Sequence, residues 1–524
     1  MIRTKCRPFT QTERLPKKGG PTVNSRSLPR RTFVASSLLG AATLVPRRVL
    51  GGAGEVPPSE KIRLAHIGMG TQGFRELKAL LDHPAIEITA VCDPNTDSND
   101  YLEWGAGEIR SLIGRLVGDP NWRTAEGCPG GREVGRFVVE TYYSNQRGKP
   151  FRGCRAYADF RELLEKETDL DAVKVMTPDH LHAAVAIAAM DRGKHVMMHK
   201  PLANRMAELR KVLAMTAATG AATHLLAYGA GRGNARIAAA VKSGVIGRLR
   251  EIHNWSNRPV WPQYAEIPRD RPPIPPGFQW DLWLGPAVDR PYHPWYTHTV
   301  FRGWYDFGGG SMADMGIYSL WPVFERLGLG PAVIADGWGT HLCTTEKTVS
   351  RVIHNDYSYP AACTFRFRFA AGSGGDGVEL WWYDGGMKPR LPEALDAAGV
   401  RPAPEGILFV GEGGAILADF SGQKPILFAE GKQMPLEQVL GEEFARAASD
   451  RGSHLDLWVN ACRGGEASPG NFLAASAVSQ TVNLGTIALR SGSRVEYDPG
   501  SGRLLSPGGA EHLLTREYRP GWEL

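Results

Sequence analysis

The sequence predicts an α/β protein of two folded domains: an N-terminal doubly wound parallel sheet, then an α/β domain built on a mostly antiparallel open sheet. Three observations predict it. Apolar runs of strand length alternate with helical patterns from Lys61 to Tyr228, the rhythm of a parallel sheet with helices on both faces. Beyond residue 230 the segments alternate in period two, most clearly in Thr364-Phe365-Arg366-Phe367-Arg368-Phe369, as a strand with one buried face does. The length, 524 residues, exceeds what one hydrophobic core organises.

The first strand is the apolar run through Ile62, Leu64, Ala65 and Ile67. Gly68-Met69-Gly70-Thr71-Gln72-Gly73 follows it and opens a helical pattern at Phe74, Leu77, Leu80 and Leu81. In that setting a G-x-G-x-x-G has a physical meaning. The first glycine allows the tight turn, the second lets a pyrophosphate approach the backbone, and the third lets helix pack on strand. The phosphates then meet the free N–H groups of the helix N-terminus. A glycine turn without a ligand spells the same string, so the next strand matters. Ala85 to Cys92 ends in Asp93, twenty positions after Gly73, where an acid accepts hydrogen bonds from a ribose 2′-hydroxyl and repels a 2′-phosphate. Taken alone, Asp93 has a plainer alternative as a turn residue before Pro94. Taken together, the pattern predicts dinucleotide binding, with NAD ahead of NADP.

Residues 97–153 break the rhythm. They are polar and glycine-rich and read as an insertion with one or two helices. The alternation resumes at Asp159, whose spacing to Glu162 is that of a capping box. A strand (170–177), a helix (183–192), a strand (194–198), a long helix (202–219) and a strand (222–228) complete a nucleotide-binding domain over 59–229. The second domain covers 230–490: a helix (234–242), a strand (249–255), a proline- and aromatic-rich loop (258–305), a helix opening at Gly308, and the alternating strands. A helix over 472–489 closes it, and 491–524 reads as an irregular tail.

Composition narrows the function classes. An apolar content of 42% with 22% charge is that of an ordinary globular chain. The net charge of +6 comes from the first 48 residues, which hold eleven Lys and Arg against the single acid Glu13; the remainder is slightly acidic. No basic stripe interleaves with aromatics, so nucleic acid is not an expected partner. Within that leader Arg30-Arg31-Thr32-Phe33-Val34 precedes an apolar run to Val45, too short to span a bilayer and shaped like a twin-arginine export signal. Residues 1–58 are therefore expected to be signal and linker, with the folded protein delivered to the periplasm or another extracytoplasmic space without a stable membrane anchor. The seven cysteines show no paired spacing and predict neither a disulfide framework nor a metal site. Cys128 and Cys154 flank one insertion and could pair.

Ligands of open parallel sheets bind at the carboxyl ends of strands, and two such ends are rich in functional groups. Thr177-Pro178-Asp179-His180-Leu181-His182 and Met198-His199-Lys200-Pro201-Leu202 nominate Thr177, Pro178, His182, His199 and Lys200 for cofactor contact, beside Gly68, Met69, Gly70, Thr71, Gln72, Gly73 and Asp93. Lysine is rarely buried without a partner, and a positive charge beside a nicotinamide favours a deprotonated donor nearby; a surface lysine at a helix start is the plainer alternative. In Gly308-Gly309-Gly310-Ser311-Met312-Ala313-Asp314-Met315-Gly316-Ile317-Tyr318, Asp314 and Tyr318 stand four apart, on one face of a helix. An acid and a phenol there can handle the hydroxyl proton of an alcohol whose carbon loses hydride. On spacing alone they are also an ordinary helix-surface pair.

The order of G-x-G-x-x-G, TPDHLH, x-K-P and GGG-x-x-x-D-x-G-x-Y resembles the glucose–fructose oxidoreductase / inositol dehydrogenase / rhizopine-catabolism (Gfo/Idh/MocA) family. The likeness runs from about residue 60 onward. EIHNWSNRPVWPQ, WDLWLGPAVDRPYHPWY and RGWYDFGGG are similar to an exported, sugar-associated branch of it. The resemblance implies that Lys200 and Asp314 are catalytic, that Tyr318 takes the position held by His or Tyr, and that copies associate through the C-terminal sheet. Two positions depart from the pattern: His199 stands where the family usually has Glu beside the nicotinamide ribose, and Tyr318 where the exported branch often has His. In the loop, Trp255, Trp261, Tyr292, Trp295, Trp304 and Tyr305 with Arg258 and Arg302 suit stacking on a pyranose and gripping its hydroxyls. Arg258, Trp261, Arg302 and Trp304 are the nominated substrate contacts.

The expected activity is an NAD-dependent oxidation of a ring carbinol in a sugar, polyol or glycoside. In it Tyr318, its pKa lowered by Lys200, accepts the hydroxyl proton and Asp314 orients the substrate. Two alternatives stand beside it: redox-neutral cleavage or epimerisation of a glycoside through a keto-sugar, and a sugar- or nucleotide-binding protein that has lost catalysis, marked by His199.

Overall fold

The computed structural model describes residues 57–524 except 125, 230–231, 373 and 447–452. The twin-arginine segment and the apolar run to Val45 lie outside the described residues. Pro58–Leu524 forms one unit.

The first half of that unit is a six-stranded, wholly parallel sheet. Its strands are β1 (Ile62–Ile67), β2 (Ile86–Cys92), β5 (Arg155–Tyr157), β6 (Ala172–Val175), β7 (His195–Met198) and β8 (Thr223–Leu225), in the order β5-β2-β1-β6-β7-β8. Chain order reverses between β1 and β6, which opens a crevice at their carboxyl ends. The connecting helices are α1 (Thr71–Asp82), α2 (Glu108–Val117), α3 (Arg132–Arg147), α4 (Phe160–Lys166), α5 (His182–Asp191) and α6 (Met206–Thr219). The sequence explains their ends. The Asp159 side chain caps α4 by accepting from Arg161 N at 2.8 Å, and Gly220 ends α6 at φ +64°, a left-handed stop that favours glycine.

The insertion is more ordered than its polarity suggests. α2 and α3 both belong to it, and a short antiparallel pair, β3 (Ser98–Tyr101) with β4 (Cys128–Gly130), ties its two ends. Cys128 and Cys154 are both buried and both free, so the pairing contemplated from the sequence is absent. Cys128 lies instead against Thr71 Oγ1, its Sγ 3.7 Å away.

The second half carries a ten-stranded sheet, one edge at Lys432–Pro435 and the other at Arg503–Ser506. Strand β9 (Leu249–Trp255) sits inside it, parallel to Glu379–Tyr383 and antiparallel to Gly406–Gly411; the other pairings are antiparallel. The alternating stretch forms Cys363–Phe369, with Phe365, Phe367 and Phe369 turned to the core. Helix Ser476–Ser491 covers that face, its Gly485 permitting close approach of the Phe367 ring. Residues 491–524 are not an irregular tail. Val495–Asp498 and Arg503–Ser506 extend the sheet, because Val495 and Tyr497 bury their side chains in the core. One apolar cluster runs from Ala65 and Val173 under the parallel sheet to Phe367 and Leu484 under the other, so the two halves share a core. Further on, Arg516 is buried against Glu208 of α6, 2.6 Å away, and donates to the backbone oxygen of Asp306 at 3.0 Å.

Candidate functional site

The glycine turn fits the role its sequence implies. Gly68 has φ +99°, and a Cβ there would lie 2.5 Å from the backbone carbonyl of Met176, so β1 and β6 approach too closely for any side chain. A Cβ on Gly73 would overlap the Gly68 carbonyl. Helix α1 begins at Thr71 with no side chain capping it, which leaves its first N–H groups for an anion. These residues line a cleft of about 950 Å³, counting its open mouth, that continues past Thr177, Pro178 and Asp179 to His199 and Arg302. A cradle without Cβ atoms at a helix N-terminus, with an acid after β2, suits a dinucleotide.

That acid is already engaged. Asp93 Oδ2 accepts from Met69 N at 2.7 Å, while Oδ1 accepts from Asn95 N at 2.9 Å and from the Tyr101 hydroxyl at 3.0 Å. Burial pushes its pKa up, against those three hydrogen bonds. Tyr101 comes from β3 of the insertion. Its ring packs 3.0 Å from where a Gly70 Cβ would be and 4.2 Å, centroid to centroid, from His298. Tyr101, His298 and the exposed Trp104 line the same cleft. None of the three was nominated from the sequence: Tyr101 and Trp104 lie in a polar insertion without a periodic signal, and His298 lies in the proline- and aromatic-rich loop.

The cleft ends at a buried charged cluster. β7 delivers His199 and Lys200, and the glycine-rich segment delivers Asp314. Lys200 Nζ lies 2.5 Å from Asp314 Oδ1, and Arg302 Nε lies 3.1 Å from the same oxygen. Arg258 Nε stands 3.9 Å from Oδ2. Lys200 is 3% and Asp314 9% exposed. Burial alone raises the Asp314 pKa, but the charges of Lys200 and Arg302 override it and hold the carboxyl well below the usual range. Burial pulls the Lys200 pKa down, with Asp314 opposing. Residues Met312–Gly316 form a π turn ahead of helix α9 (Ile317–Leu327); α7 (Arg232–Lys242) and the short α8 (Trp280–Leu284) precede it. Asp314 and Tyr318 thus span a π turn rather than one α-helical turn. They still converge, for Lys200 Nζ is 4.9 Å from the Tyr318 ring centre.

Tyr318 differs from its expectation. Lys200 does not lower its pKa; burial, then the Asp314 charge, pushes it up. Tyr318 is a neutral phenol 2.9 Å from His199 Nε2. Burial and the charges of Lys200 and Arg302 hold the His199 pKa well below its ordinary value, and in the tautomer that carries its proton on Nδ1 the neutral imidazole accepts a hydrogen bond from the phenol at Nε2.

The other nominated residues divide. Thr177 and Pro178 line the cleft. His182 does not: it is 1% exposed, its ring nitrogens 2.5 Å from the Pro201 carbonyl and 2.9 Å from that of Thr177, where it ties two strand ends together. Met69 contributes its backbone, its side chain packing on Gly135. Arg302 lines the cleft, and Trp261 lies buried beneath it, its ring centre 6.0 Å from the guanidinium. Trp304 is no substrate contact. It is fully buried in an aromatic cluster, its Nε1 donating to Trp295 O at 2.7 Å. Asp179, not nominated, accepts from Gly309 N at 3.0 Å and so joins the two motifs. Among the described residues no group of His, Cys, Asp or Glu is placed to hold a metal, and no helix is long and apolar enough to cross a membrane.

Fold and cleft define the class: an α/β protein with an NAD-binding Rossmann domain. Comparison with known proteins makes it specific. Residues 142–226 match the oxidoreductase family, NAD-binding Rossmann fold, and residues 239–330 match the same family's C-terminal alpha/beta domain. Both segments therefore match models of one family, Gfo/Idh/MocA. It is 33% identical over 112 residues to levoglucosan dehydrogenase of Pseudarthrobacter phenanthrenivorans, covering 20% of this chain and 28% of that protein. It is 25% identical over 157 residues to the alpha-N-acetylgalactosaminidase of Shewanella oneidensis, covering 30% and 26%. The matches thus span about a quarter of these relatives' length. In fold it is similar to the WlbA dehydrogenase of Chromobacterium violaceum, solved with NADH and UDP-GlcNAcA, with a TM-score of 0.50 at 16% identity over 85% of this chain and 98% of that one.

Proposed function

We propose that the protein is an NAD-dependent oxidoreductase acting on a ring carbinol of a sugar, polyol or glycoside. The observation that carries the reading is the Lys200–Asp314 pair with the Tyr318–His199 hydrogen bond, set behind His199 and Arg302, which line the cleft. NAD, when held by Gly68 to Gly73, Asp93, Thr177 and Pro178, supplies the hydride acceptor. Asp314, pinned by two cations, is a fixed anion that orients substrate hydroxyls rather than a base. The Lys200 ammonium stabilises developing alkoxide charge. The Tyr318 hydroxyl positions the substrate hydroxyl, whose proton leaves along the Tyr318–His199 hydrogen bond to the water of the cleft that His199 lines, so that neither a free phenolate nor a lasting imidazolium is required. With purified protein and a panel of sugars, Lys200→Ala is expected to abolish NADH formation at 340 nm while NAD binding, read by protein fluorescence, persists. Wild-type turnover in that variant would sink the reading.

Relatives named as glycosidases favour a second reading, redox-neutral cleavage of a glycoside through a keto-sugar. Release of nitrophenol from a nitrophenyl glycoside without net NADH distinguishes it. We further propose export by the twin-arginine route, supported by Arg30-Arg31 and the following apolar run, and testable by fusing residues 1–58 to a reporter. Self-association through the open sheet face is supported by the stacked row Trp338, Trp381, Tyr383 and His253, with Trp338 49% exposed; light scattering of the purified protein tests it.

A further inference from the structure

We infer that the substrate of this site carries a carboxylate beside its reacting carbinol, as a hexuronate or its glycoside does. The inference rests on the carbinol-oxidation reading and adds the substrate's charge.

The argument is one of unmatched charge. Three cations, Lys200, Arg302 and Arg258, converge on the single carboxylate of Asp314, at 2.5, 3.1 and 3.9 Å. The next acid, Asp179, gives Oδ2 to Gly309 N, and even counted as an anion it leaves one of the three cations unmatched. His182 and His199 contribute no compensating charge. The side chains of Arg302 and Arg258 are only 15% and 22% exposed, so water does little of the neutralising. Oxidised nicotinamide is itself cationic, so a bound NAD deepens the imbalance at this end of the cleft. Excess buried charge is costly unless paired, and the missing counter-charge is most simply the substrate's.

The donors left over have a shape. Arg302 gives Nε to Asp314, and among the described residues neither of its Nη groups has a hydrogen-bond partner. Those groups are not among the buried polar atoms that lack partners, and the side chain lines the cleft, so they are open to a ligand. Arg258 has one Nη on Asn257 Oδ1 at 2.8 Å, while its Nε is buried without a hydrogen bond. Trp261 Nε1, beneath Arg302, is likewise buried and unpartnered. A planar guanidinium fork with two free N–H groups matches a carboxylate. A hexuronate supplies both requirements at once: a carboxylate for Arg302 and Arg258, and a ring carbinol for Lys200 and Tyr318.

The test uses the full chain with saturating NAD at low ionic strength and reads binding by calorimetry. Matched probes are methyl β-D-glucuronide, its 6-methyl ester and methyl β-D-glucoside, with the galacto pair alongside, and absorbance at 340 nm is recorded on the same samples. At least one acid is expected to bind about ten-fold tighter than its ester, roughly 1.4 kcal/mol. That preference should shrink on adding salt and collapse in Arg302→Gln. The salt series on the wild type stands even where the variant folds poorly. Equal affinity of every acid and its ester, no binding by any acid, or a preference that survives both Arg302→Gln and Arg258→Gln overturns the inference. So does glucose 6-phosphate binding as tightly as the best acid. Acid-selective binding with no NADH formed keeps the anion site and removes the redox reading; NADH formed equally from acid and ester does the reverse.

Discussion

Replacing Lys200 by Met removes the closest cation to a carboxylate that is almost wholly buried. Asp314 is then left with Arg302 Nε at 3.1 Å and Arg258 at 3.9 Å. Breaking a buried pair by deleting one partner costs about 3–5 kcal/mol, because the survivor keeps its desolvation penalty and loses its counter-charge. The two arginines retain part of the field, so the low end, about 3 kcal/mol, is expected here. Deleting both partners, as Lys200→Met/Asp314→Asn, removes the orphaned charge. The double variant should therefore be destabilised by less than the two single losses together, with a coupling of about 2 kcal/mol. Urea unfolding at pH 7 followed by tryptophan fluorescence gives all three values from midpoints and slopes. The linkage sign adds a second reading. Asp314 has a folded-state pKa depressed below its unfolded value, so its contribution is present above the unfolded carboxylate pKa and is lost as pH falls below it. The destabilisation by Lys200→Met should fade in the same acid window. Single variants within about 0.5 kcal/mol of wild type, or losses that simply add, would falsify the view that this pair is an electrostatic unit.

Three further outcomes follow from individual residues. Gly68→Ala forces a side chain into φ +99° against the Met176 backbone, so a loss of about 1–3 kcal/mol in unfolding free energy and failure to bind NAD are expected together. Tyr101→Ala uncovers Gly70 and frees one oxygen of Asp93; stopped-flow fluorescence should show faster NAD association, and an unchanged rate would mean the ring does not obstruct entry. Asp384, its carboxyl accepting from Cys363 N and from Trp382 Nε1, is pushed up to about 7 by burial. A raised acid binds its proton more tightly in the folded state, so stability should fall as pH rises from about 4 to about 7, by up to roughly 4 kcal/mol. Unfolding free energies measured across that range should have a shallower slope in Asp384→Asn, whatever its offset.

What the sequence made legible is what depends on local pattern. The turn at Gly68, the acid after β2 and the lysine after β7 each sit where a strand end must be, and strand ends can be read from apolar runs and punctuation. That Lys200 and Asp314 serve one site followed from resemblance rather than from spacing, since 114 residues separate them, and their ion pair was not read from the sequence. Hidden features were those decided by tertiary packing. Tyr101 lies in a stretch without periodicity, and its aim at Asp93 depends on the β3–β4 pairing across the insertion. Trp304 looked like a sugar platform because composition cannot tell an aromatic core from an aromatic surface. The final strands were invisible because Val495 and Tyr497 are bracketed by polar residues and gain their partners only from Ala332–Gly339 and Arg503–Ser506.

The π turn at Met312–Gly316 bears on how this chain is compared with others. It holds one residue more per turn than the α-helix that follows, and each residue of an α-helix turns the chain by about 100°. A relative that lacks the extra residue would present a different side of the helix from Tyr318 onward, unless the motif shifts by one position. Equal spacing between the acid and the phenol in two sequences is therefore no guarantee of equal geometry. Conversely, a one-residue gap placed between them can mark conserved architecture. Alignments through this segment should be anchored on Asp314 and on Ile317–Leu327 separately, with the length between them left free to vary.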